Sequence, residues 1–212
     1  MSDRQLPVRP DLEQLKHQAK DLLRSVKLGR VQALEELRRN HPRPLKPRET
    51  KLADAQLAIA RSYGVQSWPR LVQACKVIDA IWRDEPEELR ALITKHPHLL
   101  NQMARGTGNC NWGPPLSYAA NLGMDRIIEM LRGMGSQDIV HAMDRAVLQG
   151  RIDTARLLYR MGARPPRGAV MGPAETQNFE GIAYLVELGA EICDQKGDRL
   201  APVAMVLATY CR

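Results

Sequence analysis

Apolar residues recur along this chain at helical spacing, and the stretches that carry them repeat. NLGMDRIIEMLRGMGSQ (121–137), LQGRIDTARLLYRMGAR (148–164) and TQNFEGIAYLVELGAEI (176–192) share a register of 27 residues. In that register Gly135, Gly162 and Gly189 coincide, as do Leu131, Leu158 and Leu185. Ile128, Ala155 and Ile182 form a third column, and Met134, Met161 and Leu188 a fourth. Gly123 and Gly150 match, with Gln177 in the third place. Ile128 and Leu131 stand three apart, on one face of a helix. A glycine after Met134 suits a left-handed helix end, and the glycine before the helix suits a tight turn between two helices. The pattern predicts helix–turn–helix units, each with an apolar face that only a stacked neighbour can cover.

The same grammar runs upstream with different punctuation. In VQALEELRRNHPR, Leu34, Leu37 and His41 take the Ile128, Leu131 and Gly135 columns, and Gly29 takes that of Gly123. In PEELRALITKHPH the equivalents are Leu89, Leu92 and His96, with Asp84 at the turn. Asp84-Glu85-Pro86-Glu87 reads as a capping box with proline in the first turn. His41 and His96 read as C-terminal caps that favour the helix dipole. LADAQLAIARSYG (52–64) predicts a further helix ending on Gly64, and Ser67 a cap for SWPRLVQACKVI. HPRPLKPRET (41–50), with three prolines, predicts a linker and a boundary after a small basic hairpin.

Composition narrows the class. The 212 residues are 44% hydrophobic and 26% charged, as in an ordinary globular chain long enough for a sizeable core. One Phe, three Trp and five Tyr leave that core to Leu, Ile, Val, Met and Ala, which suits helix-on-helix packing. No stretch approaches the roughly 18 apolar residues of a membrane helix, and MSDRQLPVRPDLEQ has no apolar core of a secretory signal. The four cysteines, Cys75, Cys110, Cys193 and Cys211, are far apart, which implies a reduced, cytoplasmic setting without a zinc site. The net charge of +7 is uneven. Residues 1–51 hold 13 basic against 7 acidic residues, and residues 52–212 hold 18 against 17. A basic N-terminal segment suits nucleic acid or an acidic partner, although 1–51 contains no aromatic for base stacking.

The columns resemble ankyrin repeats. The helix start, Ala-Ala pair, turn glycine, leucine stripe and Gly-Ala terminator of that family read here as Pro115-Leu116, Ala119-Ala120, Gly123, Leu131 and Gly135. They recur as Ala146, Gly150, Leu157-Leu158 and Gly162-Ala163, then as Leu185 and Gly189-Ala190, and a fourth copy opens with Ala201-Pro202-Val203. RPDLEQLKHQAKDLLR with LADAQLAIARSYGVQSWPRL is similar to the helical leader of bacterial ankyrin-repeat proteins. The resemblance implies an all-α fold of stacked helical hairpins, an ankyrin-like α-solenoid. It has a basic helical N-terminal extension (1–75) and degenerate repeats (76–212), the last incomplete. An ending on APVAMVLATYCR, a first helix without its partner, predicts a fragment of a longer protein. Two departures stand out: the period is 27 where the family has about 33, and Gly172-Pro173 falls where helix formers are expected.

The candidate chemistry lies where the register breaks. His96 to Gly135 spans 39 residues, 12 beyond the period, and the excess falls in NQMARGTGNCNWGP, where an ankyrin finger projects. In this loop, 101–114, Arg105, Asn109, Asn111 and Trp112 are candidate partner-binding residues, since Trp and Arg dominate interface hot spots. Cys110 has no histidine near it in sequence to serve as a base, which argues against a nucleophile. The first-helix face adds Tyr118, Asn121, Asp144, Arg145 and Glu175, with Arg145 and Glu175 expected to form an inter-repeat ion pair. Phosphate loops, HExxH and GxSxG are missing from the sequence. The expected function is a non-catalytic scaffold that binds a protein through loop 101–114 and the first-helix face, without cofactor, metal or membrane. One alternative is a nucleic-acid-associated module using residues 1–51. Another is a small-molecule receptor or enzyme with a polar pocket under loop 105–113, lined in part by RPPRGAVMGPAET.

Overall fold

The computed structural model describes residues 4–107 and 111–210. Every regular element among them is helical, as the periodicity predicts. They are α1 (Leu12–Lys27), α2 (Val31–Asn40), α3 (Leu52–Ser62), α4 (Trp68–Trp82), α5 (Pro86–Lys95), α6 (Pro115–Leu122) and α7 (Asp125–Gly133). After them come α8 (Ile139–Leu148), α9 (Ile152–Arg160), α10 (Met171–Glu175), α11 (Phe179–Glu187) and α12 (Ala201–Tyr210), and a single 3₁₀ turn covers Pro97–Leu100. The chain divides into two compact units. Unit 1 is Met1–Asp79 with Met103–Cys110, and unit 2 is Ala80–Gln102 with Asn111–Arg212.

In unit 1, α1 is capped by Asp11, whose carboxylate accepts from the backbone N–H of Glu13 (2.8 Å) and Gln14 (3.1 Å). Leu15, Ala19, Leu22 and Val26 form its buried stripe. They join Leu37, Ile59, Val65 and Leu71 in one core, where each buried leucine contributes about 1.5–3 kcal/mol. Ser67 caps α4 as expected, its Oγ accepting from the N–H of Arg70 at 3.4 Å. The stretch 41–50 is free of helix but is no boundary, because α1 and α2 both pack on α3 across it. His41 and His96 are the C-cap residues of α2 and α5. The terminator is backbone geometry, since a residue before proline is pushed out of the helical region. The His41 side chain is buried and reaches forward, with Nε2 3.4 Å from Asp54 Oδ1 near the start of α3.

In unit 2, α6 pairs with α7, α8 with α9, and α10 with α11. The first helices pack in series, α6 on α8, α8 on α10 and α10 on α12, while α5 packs on α7 and α9 on α11. The turn column is left-handed throughout. Gly29, Asp84, Gly123, Gly150 and Gln177 have φ between 52° and 75°. Asp84 and Gln177 are the only non-glycine residues at positive φ among those described. Asp84 therefore forms the turn, and the N-cap of α5 is Glu85 with no side-chain cap bond, so the capping box expected from Asp84 is not formed. Side chains tie successive hairpins together. Thr154 Oγ1 donates to Asp125 at 2.6 Å, and Asn178 Nδ2 donates to the Val147 carbonyl at 2.7 Å. α10 is only five residues long, as expected where Gly172 weakens a helix and Pro173 lacks an amide donor. No helix among the described residues is long and apolar enough to cross a membrane.

Candidate functional site

The extra loop does not act as one body. Met103–Cys110 belongs to unit 1, where Arg70 Nη2 donates to the Met103 carbonyl at 3.3 Å and Gly106 lies against Val65 and Arg70. Arg105 is half-buried there. Asn109 lies outside the described residues, as does Cys110. From Asn111 onward the loop belongs to unit 2. Asn111 is exposed. Trp112 is half-buried, its ring tilted by 42° over Tyr118 with centroids 4.7 Å apart.

The first-helix residues divide by depth. Tyr118 is fully buried, and Asn121 and Arg145 lie in the interior with it. Arg145 Nε donates to Asn121 Oδ1 at 3.0 Å, and Asn121 Nδ2 donates to the Ser117 carbonyl at 2.8 Å. The expected contact roles of Tyr118, Asn121 and Arg145 are corrected accordingly, because close packing of α6 on α8 covers them and they support the face from beneath. Where an ion pair of Arg145 with Glu175 was expected, Arg145 Nε turns inward to Asn121 and Glu175 is exposed.

Asp144 takes a different place. It lines a cleft of about 440 Å³ with Asp138, Val140 and His141, the loop residues Pro166–Ala169, and Gln195. The loop residues come from the RPPRGAVMGPAET stretch. Among the described residues no hydrogen bond or ion pair engages the Asp144 carboxylate, and burial pushes it above the usual carboxylate range, partly offset by His141 and Arg145. Arg167, on the far wall, is 3.6 Å from Glu191. The half-buried carboxylate opens on the cleft, where a donor from a ligand can reach it.

Beneath the cleft lies a group that the sequence reading missed. Ser117 Oγ donates to Asp138 Oδ2 in a short hydrogen bond and lies 2.9 Å from His141 Nδ1. Asp138 Oδ2 lies 3.6 Å from the same nitrogen. In a nucleophilic triad the carboxylate orients the histidine from the nitrogen remote from the serine. Here the carboxylate sits on the serine side and accepts the hydroxyl's hydrogen bond. Ser117 is fully buried, and Gly113 closes over it. A Cβ at Gly113 would lie 2.7 Å from Ser117 Cβ and 2.8 Å from His141 Cε1. The arrangement fastens α6 to the start of α8. Asp138 and His141 lie 21 and 24 residues after Ser117, off the 27-residue register, so the repeat gives no sign of the group.

No group of three His, Cys, Asp or Glu side chains able to hold a metal ion occurs among the described residues. No protein-family model matches the chain, and no curated protein matches it.

Proposed function

We propose that the chain is a non-catalytic protein-interaction scaffold whose unit 2 is an ankyrin-type solenoid of short period. The serial packing of α6, α8 and α10 and the left-handed turn repeated at one column support the ankyrin reading. The widely spaced cysteines fit a cytoplasmic, reducing setting. The partner would lie along Asn111–Trp112 and the cleft on α8.

The observation that carries this reading is the Asp144 carboxylate, without a hydrogen bond or ion pair among the described residues, in a cleft of about 440 Å³. A concave site with a few convergent polar groups is where recognition concentrates. An exposed Lys or Arg of the partner would satisfy Asp144 with charge-assisted hydrogen bonds, with Asp138 and His141 at the rim. The buried, doubly engaged Ser117 favours binding over acyl transfer.

The test is quantitative capture of partners from the source cell with wild-type protein, Asp144→Asn and Trp112→Ala. One protein retained by wild type and reduced about tenfold or more by Asp144→Asn is expected, as for loss of a buried charged pair. Equal capture by all three forms overturns the reading.

A further inference from the structure

The two units differ sharply in charge. Unit 1 carries 17 lysines and arginines against 9 acidic residues, and unit 2 carries 14 against 15. Within unit 1 the excess is concentrated. Residues 38–51 hold Arg38, Arg39, Arg43, Lys46, Arg48 and Lys51 against the single acid Glu49, a net of +5 in a chain whose total is +7. All six cations are exposed.

The backbone that carries them is held down. His41 and Thr50 are buried, and Leu45 packs against the unit 1 core. Thr50 Oγ1 donates to the Lys46 carbonyl at 3.0 Å, and His41 reaches Asp54. Pro42, Pro44 and Pro47 limit the freedom of the segment between these anchors. Lys46 is 3.5 Å from Glu49, whereas Arg38, Arg43 and Arg48 have no acidic partner among the described residues. The result is a fixed ribbon with anchoring side chains turned inward and cations outward.

We propose that this ribbon binds the phosphate backbone of duplex nucleic acid without reading sequence. Such binding is driven by counterion release and needs closely spaced cations held in place. The segment offers no aromatic for stacking on unpaired bases, which points to a duplex over a single strand. No large apolar side chain is exposed between residues 32 and 51, so the ribbon has no wedge for a lipid surface. This inference concerns unit 1 and does not depend on the cleft in unit 2.

The experiment follows fluorescence anisotropy of a labelled DNA duplex of arbitrary sequence with the full chain, as a function of salt. About four phosphate contacts give a slope of log K on log salt near −3.6, roughly a 100-fold loss of affinity between about 50 and 200 mM salt. The variant Arg43→Gln, Lys46→Gln, Arg48→Gln is expected to flatten the slope by about 2 to 3. Arg43→Lys with Arg48→Lys keeps the charge and is expected to keep the slope. Arg156→Gln with Arg160→Gln, in unit 2, is expected to leave binding unchanged. All substituted residues are exposed, and circular dichroism checks that each variant folds. No retention at the lowest salt, or a slope unchanged in the triple variant, overturns the proposal. So does equal or tighter binding of polyglutamate or of anionic phospholipid vesicles, which would assign the ribbon to an acidic protein or to a membrane surface.

Discussion

Asn121 and Arg145 meet in the interior of unit 2, guanidinium Nε to amide oxygen at 3.0 Å, on two first helices packed side by side. They occupy columns of the repeat three positions apart, since Arg145 shares the Tyr118 column, so the contact joins one repeat to the next. Asn121 uses its other arm on the Ser117 carbonyl of its own helix, which fixes the direction in which its oxygen points. Removing either partner leaves a polar group stranded in a packed interior. Arg145→Ala is expected to destabilise the fold by about 3 kcal/mol, and Asn121→Ala by about 2 kcal/mol. Urea unfolding followed by far-UV circular dichroism measures both. A loss under about 0.5 kcal/mol for Arg145→Ala, the range of surface substitutions, would show that the contact carries no load.

The left-handed turn column makes a prediction of opposite sign. Gln177 holds φ at 56°, where its neighbours in the column are Gly123 and Gly150. A side chain at such a position costs about 1–2 kcal/mol, of which glycine gives back part through its greater freedom in the unfolded chain. Gln177→Gly is expected to raise stability by about 0.5–1 kcal/mol, and Gly150→Ala to lower it by about 1 kcal/mol. The midpoint of denaturant unfolding decides, with the slope unchanged. Asp84 is a less clean test, because its carboxylate also lies 3.6 Å from Arg126.

Most of this repeat was legible in the sequence for a physical reason. A left-handed turn and a buried stripe each admit few residue types, so Gly123, Gly150 and the leucine column announce themselves. Gln177 and Asp84 were placed by register alone, in positions their own chemistry does not favour. The site was less legible. Burial depth depends on how closely α6 approaches α8, so Tyr118 and Arg145 read as surface groups although packing encloses them. The Ser117–Asp138–His141 group joins residues 21 and 24 apart, and nothing local marks it. The boundary assigned to 41–50 failed because prolines exclude helix without excluding tertiary contact. Leu45 packs into the core from the middle of that stretch.

Asp144 gives a pH-dependent test independent of any partner. Its folded-state pKa is raised, chiefly by burial, above the ordinary value near 3.8. A raised carboxylate favours the folded state most when protonated, so its contribution is present below the unfolded value and is lost as pH rises through the folded one. Asp144→Asn, which cannot ionise, is therefore expected to be more stable than wild type at pH 7. The advantage should shrink on acidification and vanish below about pH 3.8. Thermal melts from pH 3 to 7 measure the difference. An advantage that stays constant across that range would remove the burial argument.

Cys75 is buried in unit 1, and burial pushes its thiol up to about 12. The thiolate is the reactive form, so the residue should be nearly inert in the native chain at pH 8. Iodoacetamide labelling read by peptide mass is expected to leave Cys75 unmodified until denaturant reaches the unfolding transition. Rapid native labelling at Cys75 would mean that the helices around it open far more readily than their packing implies.

The chain enters unit 1 twice, first through residue 79 and again over residues 103–110, with 80–102 belonging to unit 2 in between. A gene segment that stopped at residue 79 would therefore encode an unfinished body. It would lack the strap in which Met103 accepts from Arg70 and Gly106 rests on Val65. No single cut in the chain separates the two units. A truncation series along this chain is therefore expected to yield well-behaved pieces only where both passes are kept together.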